Sequence, residues 1–292
     1  MYFRVRQINC TARLGWLTLC LLAGPTFLFA QEKPAATPPP TATTQKEAAA
    51  KATANPATVN LTAEQVAELA VYLHGSRPLL QKIRHTGLEH GRVVRNNPDG
   101  RTEEATYDLR FVRGESADKD KLRLDQQMPT IEYSLIYNTG KVFGLLKGSV
   151  FSPRQDAADD MLTDARRGIE ALLRYKENGA SLILIGKDKQ QNVECHVLDL
   201  TDKDGRRTRY FISVKYFRVM WAEYDETAAN GVKTAYKRRY YDYRYAQGTL
   251  VPYRSVLYRD GQQVSETQVL TVTYGAKVDD AIFQNPEQAA NQ

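Results

Sequence analysis

The chain has 292 residues, 25% of them charged and 42% apolar, a composition that is typical of a globular protein and excludes a fibrous or wholly disordered one. Basic residues outnumber acidic ones 40 to 34, but three arginines lie in the first thirteen residues, where there is no acid. The rest of the chain is therefore close to neutral, which excludes a strong polyanion-binding surface as the first interpretation. Three cysteines are too few for a disulfide framework, so the folded part depends on its core.

The first 30 residues have the pattern of a secretory signal peptide. Three arginines precede an apolar run at residues 14–29, which Gly24-Pro25 interrupts near its end. This run is shorter than the about 20 apolar residues that a bilayer span needs, so the pattern favours cleavage after Ala30 over a retained membrane anchor. We therefore expect residues 1–30 to be removed and the protein to be exported, with a periplasmic location.

Residues 31–60 have the composition of a disordered linker. They include nine alanines, six threonines and five prolines, with almost nothing bulky to bury. Such a segment is a semi-extended tether. It serves either to hold a folded module away from a membrane or cell wall, or only as an export linker, and the sequence slightly favours the second.

From Leu61 to about residue 286 the pattern is that of a folded domain. Thr62 is a suitable cap for a first helix, whose apolar residues recur at three- and four-residue steps, and a short second helix follows at residues 79–84. One long internal helix is predicted from the Ser152-Pro153 start to Lys176. Alternating patterns predict strands on both sides of it. The predicted strands cover residues 88–96, 103–112, 122–127, 131–137, 141–147, 181–185, 193–200, 207–214, 217–224, 235–245, 250–258 and 264–274.

These elements predict one domain over residues 61–286, followed by a tail at 287–292, in the mainly β class with helices. An open twisted sheet rarely exceeds about ten strands, so about eleven or twelve antiparallel strands are expected to curl into an incomplete β-barrel. The amphipathic helices are expected to cover its concave face. The space between helices and sheet is then either filled core or an apolar ligand cavity, and the sequence leaves both open.

Several segments, together with the order of the elements, point to a family. They are residues 197–202 (Val-Leu-Asp-Leu-Thr-Asp), the strand Phe217-Arg218-Val219, residues 248–253, the hairpin at 258–261 and the closing segment 277–283. In these segments the chain resembles the periplasmic outer-membrane lipoprotein-sorting proteins, the LolA-type lipoprotein carriers. The resemblance implies a half-barrel that accepts the acyl chains of lipoproteins, with donor and acceptor proteins at membranes as partners. No segment matches the N-terminal strand arginine of the characterised carriers, so no lid-latching residue is assigned.

If the resemblance holds, inward-pointing apolar residues line the ligand. Alternation along each strand predicts which sheet residues point inward, and the internal helix faces them. The predicted lining residues are Leu135, Tyr137, Phe143, Leu145, Ile183, Ile185, Val219 and Trp221 from the sheet, with Met161, Ile169 and Leu173 from the helix.

No motif points to catalysis or to a cofactor. The four histidines lie outside any His-Glu-x-x-His or paired-cysteine pattern, so neither a metal nor another cofactor is expected. Cys195 and His196 are neighbours on a predicted strand and point to opposite faces, which excludes a nucleophile paired with a base. The aspartates within residues 156–164 crowd the first half of a helix, where the helix dipole favours acids. We expect a protein that is not an enzyme, and a hydrolase is disfavoured.

Residues 237–245 interleave lysine and arginine with tyrosine. The pattern is most typical of an ordinary amphipathic sheet surface with cross-strand pairs. The head-group rim of an amphiphile site is the second interpretation. A surface that stacks nucleic-acid bases is the third and is disfavoured for an exported chain of modest charge, so no nucleic-acid partner is expected.

Two functional hypotheses follow. In the first, the protein is a monomeric, non-catalytic carrier or chaperone that holds an acylated lipoprotein, a lipid or another amphiphile. In the second, it is an envelope structural or protein-interaction module, in which the helix fills the cavity and the strands rich in tyrosine and arginine bind a partner. The volume beneath the helix distinguishes them.

Overall fold

The computed structural model describes residues 60–190, 192–228 and 230–289. The predicted signal peptide, nearly all of the predicted linker and the last three residues of the tail lie outside the described residues. The described ranges contain five α-helices and thirteen β-strands. The helices are α1 Ala63–Leu73, α2 Arg77–Ile83, α3 Gln155–Arg167, α4 Ile169–Leu173 and α5 Pro286–Ala289. The strands are β1 Thr86–Asn96, β2 Thr102–Val112, β3 Lys121–Gln127, β4 Glu132–Asn138, β5 Lys141–Leu146, β6 Ser149–Phe151, β7 Ser181–Gln190, β8 Val193–Thr201, β9 Arg207–Ser213, β10 Val219–Thr227, β11 Lys233–Ala246, β12 Thr249–Arg259 and β13 Gln262–Tyr274.

The thirteen described strands form one antiparallel sheet, in the order β6-β5-β4-β3-β2-β1-β13-β12-β11-β10-β9-β8-β7. The chain enters the sheet in its middle at β1, meanders outward to β6, and crosses through α3 and α4 to the opposite edge at β7. It returns strand by strand until β13 pairs with β1. The predicted mainly β, antiparallel fold class is confirmed. The three-residue β6, paired with β5, is the strand that the sequence pattern did not predict.

The start of α1 follows directly from its sequence. The Thr62 hydroxyl accepts a hydrogen bond from the Gln65 amide at 3.2 Å, and the Gln65 side chain accepts one from the Thr62 amide at 2.8 Å. This reciprocal arrangement satisfies two amides that the first helical turn leaves free. The predicted cap at Thr62 is confirmed.

Gly168 separates α3 from α4, so the single helix predicted from Ser152 to Lys176 is wrong. The backbone of Gly168, with φ −77° and ψ −171°, is extended rather than helical. A Cβ atom at this position would lie 2.3 Å from the carbonyl oxygen of Asp164, which is too close for any side chain. The predicted start at Ser152-Pro153 is also wrong, because α3 begins at Gln155 and Arg154 occupies the capping position.

The helices cover one side of the sheet, which we call the helix-covered face. Leu198, Tyr210 and Ile212 of β8 and β9 pack there against Val71 of α1 and Leu172 of α4. A second cluster on this face joins α3 to the central strands and includes Phe111, Tyr137, Leu162, Val251 and Tyr274. In the described ranges no helix is long and apolar enough to cross a bilayer.

The other side of the sheet, the outer face, carries a smaller cluster. Cys195, Val197, Phe211 and Trp221 form it, and the rings of Phe211 and Trp221 stack with their centres 4.5 Å apart. These residues alternate along β8 and β9 with members of the helix-covered clusters, as the strand geometry requires. Both faces of this part of the sheet are therefore apolar.

Candidate functional site

A cavity of about 180 Å³ lies between α3 and the helix-covered face, and we call it the α3 cavity. Met161 and Ala165 of α3 and Ile169 of α4 line it from the helix side. Its volume is below the about 300–1,000 Å³ of typical small-molecule sites, so the helices occupy most of the space above the sheet. The apolar strand residues that line it are Leu109, Phe111, Leu122, Tyr240, Leu250, Val251, Pro252, Val269 and Tyr274.

A glycine in β1 makes room for the aromatic part of this lining. Gly87 lies directly opposite Phe111 of β2, and a Cβ atom on Gly87 would be 2.3 Å from the Phe111 ring. The ring therefore lies across the glycine and reaches Tyr274, with ring centres 6.4 Å apart. A glycine within a strand commonly marks such a close approach.

Glu89 of β1 is an acidic group that lines the same cavity. The Tyr107 hydroxyl donates a hydrogen bond to its Oε1 atom at 2.7 Å. Burial raises the pKa of the Glu89 carboxyl, and the hydrogen bond from Tyr107 opposes that rise. The cavity is also lined by Arg84, Arg113, Asp164, Glu170 and Arg238, and burial disfavours the charged form of the Glu89 carboxyl.

Buried residues and polar side-chain contacts hold α3 over the cavity. Its buried residues are Ala158, Leu162 and Arg167. Asp164 forms an ion pair with Arg238 of β11, with Oδ1 and Nη1 separated by 3.1 Å, and the Arg238 side chain is only 11% exposed. At the end of α3 the Arg167 Nη1 atom donates to the Arg207 carbonyl at 3.0 Å, and its guanidinium lies 4.6 Å from the Tyr224 ring centre, so the Asp164–Arg238 pair is one of several attachments of this helix.

A network of arginines holds α4 more firmly. Arg84 pairs with Glu170, and both Arg113 and Arg174 bind Asp120, at 2.9 and 2.7 Å. Burial by itself would raise the pKa of Glu170, but Arg84 and Arg113 hold this pKa below its ordinary value. The network ties α4 to the end of α2 and to the β2–β3 connection, beside a second cavity of about 250 Å³.

Cys195 and His196 point to opposite faces, which confirms that prediction. Burial raises the pKa of the Cys195 thiol to about 11, so the thiol is protonated at neutral pH. The His196 ring stacks on Phe217 with ring centres 5.7 Å apart. Within the described ranges no three His, Cys, Asp or Glu side chains come together in an arrangement that could hold a metal ion.

Six of the predicted lining residues lie on the helix-covered face. Met161 and Ile169 line the α3 cavity. The clusters of this face also contain Tyr137, Leu173 and Val219. Leu135 is buried and lies two residues before Tyr137 on β4, on the same side of the sheet. A role for these six residues in holding a ligand stays a prediction.

Two predicted lining residues of β5 point away from α3. Phe143 lies opposite Ile136 and Leu145 lies opposite Ser134. Directly opposed residues of antiparallel strands share a face, so both point to the side opposite Tyr137. Their predicted inward orientation is wrong.

The remaining three lie on or near the outer face. Ile183 and Ile185, in the edge strand β7, are 60% and 52% exposed. Trp221 belongs to the outer cluster although Val219, two residues earlier, faces the helices. A bulge causes this change, because the pairing with β9 skips Met220. Each bulge adds one residue and reverses the alternation that follows it.

Sequence reasoning missed most of the residues that line the α3 cavity. No inward residue was predicted from the strands at 103–112, 250–258 and 264–274, which supply Phe111, Val251 and Val269. The alternation of apolar residues in these segments was a usable signal. The Asp164–Arg238 pair had no such signal, because its members lie 74 residues apart.

Comparison with known proteins adds information on the fold. No family model and no curated protein matches the chain. A solved LolA superfamily protein from Nitrosomonas europaea superposes with a TM-score of 0.56 at 14% identity, covering 78% of this chain and 100% of that one. The chain has a LolA-like fold. The resemblance predicted from the sequence is confirmed at the level of the fold.

A second solved structure has the same degree of likeness. A DUF1329 family protein from Desulfovibrio piger superposes with a TM-score of 0.56 at 12% identity, over 80% of this chain and 100% of that one. Both comparisons therefore span the whole of the other protein.

Proposed function

We propose that the protein is a non-catalytic carrier that holds an acyl chain between α3 and the helix-covered face. The observation that carries the proposal is the α3 cavity, where apolar residues of α3, α4 and the strands lie beside three arginines and three acids. The LolA-like fold supports it, since the resemblance implies lipoprotein sorting. The cargo is accordingly an acylated lipoprotein or a lipid, received and delivered by proteins at membranes after export to the periplasm.

Movement of α3 would make the space that an acyl chain needs. The cavity of about 180 Å³ is smaller than typical ligand sites. Three of the thirteen residues of α3 are buried, whereas four of the five residues of α4 are, and Gly168 separates the two helices. Each methylene transferred from water to an apolar site gains about 0.8 kcal/mol, which would offset the loss of α3 contacts. We also propose that the thirteen-stranded sheet curls into an incomplete barrel.

The alternative is an envelope interaction module with a filled cavity. The small volume of the α3 cavity is the observation that favours it. In that case the surface of β11, rich in tyrosine and arginine, would bind a partner and α3 would be a permanent part of the core. The alternative predicts that no amphiphile binds.

The test is native mass spectrometry of the purified chain with extraction of bound lipid, followed by uptake of a fluorescent fatty acid. Ala165→Phe adds an apolar ring to the α3 cavity, so it should reduce uptake. Gln155→Phe, on an exposed position of the same helix, is the matched control and should retain uptake. A chain that carries no lipid and takes up no fatty acid would contradict the carrier proposal and favour the interaction module.

A further inference from the structure

The three most exposed tyrosines of the described residues lie at one end of the sheet. Tyr72, Tyr216 and Tyr245 are 74%, 52% and 68% exposed. Tyr72 lies in the last turn of α1, Tyr216 in the turn between β9 and β10, and Tyr245 next to the end of β11. A tyrosine exposed to this degree gains little from the core.

Contacts connect the turn that carries Tyr216 to the end of α1. The Arg218 guanidinium lies 5.6 Å from the ring centre of Tyr216 and 5.6 Å from that of Tyr243. The Tyr243 ring in turn meets His74 edge-on, with ring centres 5.8 Å apart. His74 caps α1, so the end of this helix lies beside the turn, whereas the exposed side chain of Tyr72, two residues before the buried His74, points to a different side of the helix.

Tyr245 joins the same surface through β12. Its partner across the strand pair is Leu250. The carbonyl oxygen of Leu250 lies 2.9 Å from Nδ1 of His74 and accepts its hydrogen bond. The β9–β10 turn and the end of β11 therefore lie together beside the end of α1, and we call the surface that carries Tyr216 and Tyr245 the tyrosine end.

Positively charged side chains lie around Tyr216. Lys189, Lys215 and Arg218 form no ion pair within 4.0 Å among residues 60–190, 192–228 and 230–289. The Lys215 ammonium lies 4.8 Å from the Tyr216 ring centre. Lys189 pairs across the strands with Glu194, whose carbonyl accepts from the Val214 amide, and this places Lys189 beside the same turn.

We propose that the tyrosine end docks the protein on the surface of an anionic lipid bilayer. Tyrosine rings have an apolar body and a polar tip, which suits them to the head-group layer, and unpaired lysine and arginine are attracted to anionic lipids. The tyrosines project from separate elements rather than forming the compact, desolvated centre of a protein interface. The inference goes beyond the proposed carrier function, because docking does not require an open α3 cavity.

The test is co-sedimentation of the full chain with vesicles of phosphatidylcholine containing phosphatidylglycerol, and with vesicles of phosphatidylcholine alone. We expect binding to the anionic vesicles that weakens with added salt. Each positive charge near the surface contributes about fivefold to the binding constant, so Lys189→Gln with Lys215→Gln should reduce binding more than tenfold. Tyr216→Ala with Tyr245→Ala should also reduce it.

Lys233→Gln is the matched control, because Lys233 is exposed and lies at the opposite end of β11. Residues 1–30 are the same in all variants, so differences between variants report the tyrosine end. Equal binding of the original chain to both kinds of vesicle would overturn the inference. So would a double lysine variant that binds like the Lys233→Gln control, or preferential binding to soluble polyglutamate, which would indicate an acidic protein partner.

Discussion

Gly91 of β1 lies directly opposite Tyr107 of β2, and the tyrosine side chain crosses the space that a Cβ atom on Gly91 would fill. Such a Cβ atom would be 2.5 Å from the Tyr107 hydroxyl oxygen and 2.6 Å from the carbonyl oxygen of Gln268. The missing side chain lets the Tyr107 hydroxyl reach Glu89 at 2.7 Å. A glycine thus sets the position of a polar contact at the edge of the α3 cavity.

Gly91→Ala should therefore destabilise the protein by about 1–3 kcal/mol, the usual cost of adding volume to a packed site. The free energy of unfolding from urea titration measures the effect. Arg92→Ala, at the next and exposed position of β1, is the control and should change stability by less than about 0.5 kcal/mol. Equal stability of Gly91→Ala and the parent chain would contradict the arrangement.

His74 should make stability depend on pH below neutrality. It is fully buried, its Nδ1 donates to the Leu250 carbonyl at 2.9 Å, and its Nε2 has no partner. Burial lowers the pKa of His74 from 6.5 to about 4. Between these values the unfolded chain binds more protons than the folded one. The contribution of the neutral His74 to the free energy of unfolding is complete above pH 6.5. It falls by about 3 kcal/mol as the pH drops from 6.5 to below 4.

The measurement is the free energy of unfolding from pH 7 to pH 4 in the parent chain and in His74→Gln, whose amide can still donate to Leu250. The substitution should reduce the dependence of the free energy of unfolding on pH between pH 7 and pH 4. His85→Gln changes an exposed histidine and serves as the control. If His74→Gln retained the full slope, burial of a neutral His74 would not be its cause.

How far the sequence predicts this fold depends on whether a signal is local. The Thr62 cap was predictable because its partner, Gln65, is three residues away. The antiparallel order was predictable because consecutive strands pair. The break at Gly168 was not, because glycine within a helical pattern is often tolerated, and what decides here is the approach of the Asp164 carbonyl.

The candidate site was less predictable than the fold. Alternation indicates two faces, but a single bulge at Met220 sends Trp221 to the outer face while Val219 keeps its place. No local pattern marks that bulge. Tertiary packing also decides which strands lie beneath α3. The sequence pattern therefore does not indicate that Val251 and Val269 line the cavity, or that the edge strand β7 is exposed.

Loss of the Asp164–Arg238 pair should loosen α3 alone. In Asp164→Ala the buried Arg238 guanidinium loses its carboxylate partner. We expect amide hydrogen exchange to rise about fivefold over residues 155–167, which corresponds to about 1 kcal/mol. Residues 169–173 should keep their protection, because the bond between Arg84 and Glu170 is untouched.

Asp156→Ala is the control for this experiment, because Asp156 is exposed and pairs only with the exposed Arg154 of the same segment among the described residues. It should leave exchange in the second half of α3 unchanged. A uniform rise over both helices in Asp164→Ala would contradict the separation of a weakly held α3 from a firmly held α4.

Photo-crosslinking with a diazirine-bearing fatty acid tests directly whether an acyl chain binds between α3 and the helix-covered face. After irradiation and digestion, mass spectrometry locates the labelled residues. We expect labels on Met161 and Ala165 of α3 and on Val251 and Val269 of the sheet. Labels on Ile183 and Ile185, which are exposed on β7, or no specific label at all, would contradict it.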